Sequence, residues 1–162
     1  MYLTCRAQKE EFDMARLRHI AMSVPDPDKA AKFYEKAFDM KRVGKTNSPI
    51  ANGVYVSDGT ITVALLNFKN DDQGPREYVG LHHIGFWVDD IREAEKKVED
   101  AGGQYLMGRP EENDGDMKDT FYEEKYRDPN GVIFDITDLG WGGAVKEVKP
   151  VDEDQAGPAQ HH

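Results

Sequence analysis

Apolar and polar residues alternate in two short stretches of this chain, and a helical pattern follows each. In LRHIAMSV (17–24), Ile20, Met22 and Val24 share one strand face, opposite His19, Ala21 and Ser23. In LHHIGFWV (81–88), Ile84, Phe86 and Val88 share a face opposite His83, Gly85 and Trp87. After the first stretch, Asp26 or Asp28 is placed to cap a helix, with Pro27 in its opening turn. After the second, Asp89 or Asp90 takes that role. There Ile91, Ala94 and Val98 form an apolar stripe, and Gly102-Gly103 stop the helix. Both helices give way to β-rich runs with turn chemistry between them. Residues 53–68 turn around Ser57-Asp58-Gly59, and residues 120–139 around Asp128-Pro129-Asn130-Gly131.

These two halves are a repeat. Residues 17–44 align with residues 81–108 without a gap, at a constant offset of 64, and ten of the 28 positions are identical, His19/His83, Ile20/Ile84, Val24/Val88 and Asp26/Asp90 among them. Chance would give about two at ordinary composition. The polar segment 113–116 lengthens the second half, so that Gly131 matches Gly59 at an offset of 72. The predicted fold class is α+β: two βαβββ modules, side by side, making a curved mixed sheet around a cleft.

The repeat sorts the histidines. His83 aligns with His19 and is expected to face the same cavity, whereas His82 aligns with Arg18 and is expected to point away. In the last run, Val132, Phe134 and Ile136 form the apolar face and Asp135 points the other way, with Asp138 as a nearby competitor. A carboxylate there needs a partner or a cation. Two imidazoles and one carboxylate, His19, His83 and Asp135, form a facial set suited to one divalent ion: Fe, Mn, Zn, Ni or Co. The matching position in the first half is Val63, beside Ala64, and neither binds metal. Tyr122, Glu124 and Tyr126 share a strand face and are candidate catalytic groups, with Glu124 as general base. Trp87 is a candidate pocket wall.

Composition narrows the function classes. A net charge of −10 argues against a nucleic-acid backbone or an anionic membrane as partner. No apolar run approaches the roughly 20 residues of a membrane span, and residues 1–10 lack a secretory core. Cys5 is the only cysteine, which excludes an internal disulfide and a thiolate cluster. The expected location is the cytoplasm. Residues 1–15 read as a peripheral extension and 141–162 as a mobile polar tail, and the terminal His161 and His162 are left out of the site.

The stretches RHIAMSVPDPDKAAKFYEKAFDM, GLHHIGFWVDD and RDPNGVIFDI resemble the vicinal oxygen chelate superfamily of glyoxalases, bleomycin-resistance proteins and extradiol dioxygenases. The resemblance covers about residues 16–140, as modules 16–70 and 80–140. It implies an incomplete mixed β-barrel around a metal held by His19, His83 and Asp135, a small-molecule substrate with vicinal oxygens, and a homodimer. The implied activity is an extradiol-type dioxygenase or a glyoxalase-like lyase, and the alternative is a metal-free, bleomycin-resistance-like binder. Two departures stand out. The family's last ligand is usually glutamate, one methylene longer than Asp135, and Val63/Ala64 supply no fourth ligand.

Overall fold

A computed structural model of the chain describes residues 14–109 and 123–147. The first module contains β1 (Arg16–Ser23), α1 (Pro27–Phe38), β2 (Lys41–Asn47), β3 (Ala51–Ser57) and β4 (Thr62–Phe68). The second contains β5 (Gly80–Trp87), α2 (Ile91–Asp100), β6 (Gln104–Met107), β7 (Glu124–Arg127) and β8 (Ile133–Thr137). The helices begin where capping chemistry places them. Asp26 accepts from the Lys29 amide at 3.0 Å with Pro27 next in line, and Asp90 accepts from the Glu93 amide at 2.9 Å. The hairpin turns close on side-chain caps of the same kind, Asp58 accepting from Thr60 and Ile61, and Asp128 from Asn130 and Val132.

All eight strands join one mixed sheet in the order β2-β3-β4-β1-β5-β8-β7-β6, which is not closed into a barrel. The modules meet along antiparallel β1 and β5, while β1–β4 and β5–β8 are parallel. Each helix covers the outer side of its own half. Ala31 packs with Val54, Val56 and Leu65 in the first, and Val98 and Ala94 pack against Val88, Tyr126 and Ile136 in the second. The inner side carries His19, Ala21 and Ser23 of β1 and His83 of β5, all buried.

Strict alternation fails at two equivalent places. In the β1–β5 pairing Ala21 faces His83 but Met22 faces Leu81, leaving His82 as an extra residue; likewise Leu17 faces Phe86 but His19 faces Gly85, leaving Arg18 extra. Both are β-bulges, which re-aim a side chain that a regular strand would send outward.

The domain runs past residue 140. Trp141 is buried, Ser57 Oγ donates to the Gly143 carbonyl at 2.7 Å, Thr62 Oγ1 donates to Gly142 at 2.6 Å, and the Val145 amide donates to Thr60. The first residues of the segment read from sequence as a polar tail therefore form a strap across the first module. The binary pattern missed it because backbone carbonyls, which carry no sequence signature, make most of its contacts. Residues 1–13 and 148–162, and with them most of the two terminal segments, lie outside the described residues.

Candidate metal centre

The neighbouring strands β1, β5 and β8 bring three donors together on the inner face. His83 Nε2 lies 3.0 Å and His19 Nε2 3.8 Å from Asp135 Oδ2, and one ligand atom from each residue falls within 4.8 Å of the others. Asp135, not Asp138, takes the carboxylate place. Asp135 is 0 % exposed and His19 2 %, so water does not solvate these groups. The cleft in front of them has a volume of about 930 Å³.

Protonation at the site follows from burial. Desolvation lowers His19 to about 3 and His82 to about 4, and it lowers His83 as well, so all three imidazoles are neutral at neutral pH. Burial works against the Asp135 charge, but the Lys125 ammonium, 2.7 Å from Oδ1, helps to hold the carboxyl well below its ordinary range. Asp135 Oδ2 lies 3.0 Å from His83 Nε2, yet no well-formed hydrogen bond reaches it. A buried anionic oxygen without a donor, between two neutral imidazole nitrogens, is costly unless a cation joins them. Donors about 2.1 Å from one ion lie roughly 3–3.5 Å apart at octahedral or tetrahedral angles. The two separations from Asp135 Oδ2, 3.0 and 3.8 Å, are close to that and all three donors lie within 4.8 Å, so the residues fit a divalent ion. The shorter aspartate is accommodated because β8 already holds Oδ2 beside both rings.

The candidates on β7 fall on the other side of the sheet. Glu124 and Tyr126 face α2: Tyr126 packs with Val98 and donates to Glu124 at 3.2 Å, and Arg92 lies 3.9 Å from Glu124. Tyr122 is outside the described residues. Alternation then puts Glu123 and Lys125 in the cleft, and both line it. Lys125 Nζ donates to Asp135 Oδ1 at 2.7 Å and to Glu123 Oε2 at 3.3 Å. Burial opposes the ammonium charge, but Asp135 and Glu123 more than compensate and raise Lys125 to about 12. Burial, then the nearby Asp135 charge, pushes Glu123 up to about 8.

The indole in the cleft is Trp141, whose ring stacks on His19 at 4.8 Å and whose Nε1 donates to Glu123 Oε1 at 2.6 Å. Trp87, expected there, donates to the Asp138 carbonyl and packs on Gly140 instead. A signal for Lys125 was available in the sequence. The turn at 128–131 closes with Arg127 opposite Ile133, and two residues further from the turn on each strand Lys125 stands opposite Asp135. For Trp141 there was none, since it belongs to no periodic element. The sequence counterpart of Asp135 also shifts by one. Ala21 pairs with Ala64 as Gly85 pairs with Asp135, so Ala64 rather than Val63 occupies the matching place.

Paired βαβββ modules around a buried His-His-Asp cleft define a class of protein in which duplication builds the scaffold and the seam between copies holds the site. The chain belongs to the Glyoxalase/Bleomycin resistance protein/Dioxygenase superfamily, whose model matches residues 16–136. It is 30% identical over 125 residues to the metallothiol transferase FosB of Bacillus licheniformis, covering 74% of this chain and 73% of that one. Among solved structures, the methylmalonyl-CoA epimerase of Streptomyces coelicolor superposes with a TM-score of 0.60 at 19% identity, over 75% of this chain and 94% of that one. A hypothetical protein from Bacillus halodurans gives 0.58 at 19% identity, over 85% and 99%. At these identities the structures speak for the fold.

Proposed function

We propose that this protein is a divalent-metal-dependent enzyme that acts on a small substrate through adjacent oxygens, with transfer of a thiol to that substrate as its reaction. The observation that carries the metal reading is the unpartnered Asp135 Oδ2 between His19 Nε2 and His83 Nε2. The thiol-transfer reading draws on the similarity to a metallothiol transferase. Extradiol cleavage and glyoxalase-like lyase chemistry are the competing reactions for the same site.

An ion bound there would act as a Lewis acid on the substrate oxygens. His19, His83 and Asp135 would hold it. Lys125 holds Asp135 Oδ1, so the carboxylate offers its other oxygen, Oδ2, to the cleft. Glu123, raised to about 8, keeps a proton at neutral pH and can deliver it to an oxygen that gains negative charge. Its position is set by Trp141 and Lys125. Ala64, Leu66 and Phe68 line the opposite wall and suit the carbon side of a small molecule.

The test is calorimetric titration of metal-stripped protein with Mn²⁺, Zn²⁺, Ni²⁺, Co²⁺ and Fe²⁺, followed by assay of the loaded protein. Binding is expected in the wild type and lost in His19→Ala, His83→Ala and Asp135→Ala. A wild type that takes up none of these ions sinks the enzyme reading in favour of a metal-free binder. Loss of free thiol in the presence of an oxygen-bearing electrophile supports transfer. Turnover of a catechol or a hemithioacetal instead assigns one of the competing reactions.

A further inference from the structure

The adjacent histidines do not divide into one ligand and one bystander. The bulge at His82 turns its ring back toward the seam, where it stacks on Phe68 with centroids 4.4 Å apart. Its Nδ1 is 2.7 Å from His83 Nδ1, and its Nε2 is 3.0 Å from the Gln73 carbonyl in the linker between the modules. That linker is a braced turn: the Gly74 amide donates to the Asp71 carbonyl and the Arg76 amide to the Asp71 carboxylate.

Counting protons along this chain leaves one arrangement for two neutral rings. A carbonyl only accepts, so His82 Nε2 carries its proton, and His82 Nδ1 is then a lone pair. With 2.7 Å between the two Nδ1 atoms, His83 must donate from Nδ1. Its Nε2 is therefore bare, on the side facing Asp135 and His19.

We infer that His82 is a positioning residue that fixes the tautomer and orientation of His83, holding Nε2 open for the ion and tying the metal centre to the inter-module linker at Gln73. The inference rests on the metal reading above but makes a separate claim about protons. It also differs from what His19 shows, whose Nδ1 is buried without a hydrogen-bond partner.

The deciding measurement is the long-range ¹H–¹⁵N NMR correlation of metal-free wild type at neutral pH, with Zn²⁺ titration of His82→Phe and His82→Asn alongside. His83 should show a protonated Nδ1 and a bare Nε2. His82→Phe keeps a ring against Phe68 but removes the acceptor, and should bind Zn²⁺ about 10- to 100-fold more weakly. His82→Asn, whose side-chain oxygen can take the place of Nδ1, should recover most of that affinity. A proton on His83 Nε2 in the wild type overturns the inference, as does unchanged Zn²⁺ affinity in a folded His82→Phe. If His82→Phe does not fold, the wild-type tautomer and the His82→Asn titration decide. A wild type that binds no Zn²⁺ or other divalent ion removes the metal reading alone, and the NMR tautomer still judges the relay.

Discussion

On the inner face of the sheet, the first module sets Gly53, Tyr55 and Ala64 where the second sets Glu123, Lys125 and Asp135. The registers are equivalent, Tyr55 opposite Ala64 and Lys125 opposite Asp135. One copy thus supplies an apolar wall and the other a buried charge network. Only the two histidines are held in common. Duplication set a backbone frame twice, and because each charge taken out of water needs its own partner, the network is self-contained within the second copy. The bulged residues are exchanged in the opposite sense. Arg18 of the first module donates to the Val145 carbonyl of the strap that follows β8, while His82 of the second meets the linker that follows β4.

Acid should produce the largest effect. In the metal-free fold His19, His82 and His83 are depressed below their ordinary value, His19 to about 3. The unfolded chain binds protons below about 6.5, so their stability contribution is complete above that pH and is lost as pH falls toward 3. Glu123, raised to about 8, has the opposite sign above its ordinary value, but it is one group against three. The melting temperature of metal-free protein should therefore drop steadily from pH 6.5 to 4. A flat profile would mean that the imidazoles are not buried neutral in both modules.

Next in size is Lys125→Met, which leaves Asp135 buried without its ammonium and should cost about 3–5 kcal/mol in urea unfolding. The matching Tyr55→Phe removes no charge and should cost about 1 kcal/mol or less. Equal losses at the two positions would erase the contrast between the walls.

Smaller still is Gly85→Ala. A methyl there would lie 2.8 Å from the Trp141 ring and 2.9 Å from His19 Cβ, an overpacking of about 1–3 kcal/mol. Its counterpart Ala21 already buries a methyl, so Ala21→Gly should cost about 1 kcal/mol. The least effect should come from the caps. Asp26→Ala and Asp90→Ala should each lower stability by about 1 kcal/mol, and by similar amounts, because the two helix starts are built alike.

Much of this frame was legible in the chain. The 64-residue offset located both strand–helix units, the capping aspartates marked the helix starts, and the repeat match of His19 with His83 selected the two facing imidazoles. Asp135 followed from alternation within a single run. What escaped came from breaks in regular geometry. Bulges at Arg18 and His82 spoil the rule that neighbours on a strand face opposite ways, so His82 was read as an outward residue. The face of β7 was misassigned because Tyr122, Glu124 and Tyr126 make as plausible a polar face as Glu123 and Lys125 until the hairpin register is applied. The strap from Trp141 is held by backbone carbonyls and by one indole, which no periodicity reports.

That indole has a practical consequence. Trp141 lies flat against His19, while Trp87 packs against residues 138–140. The chain therefore carries a light-emitting reporter in contact with the candidate ion seat, and a second emitter that serves as an internal reference. Paramagnetic Mn²⁺, Co²⁺ or Ni²⁺ entering the seat should dim the emission of Trp141 selectively, so that occupancy could be followed in real time without a label.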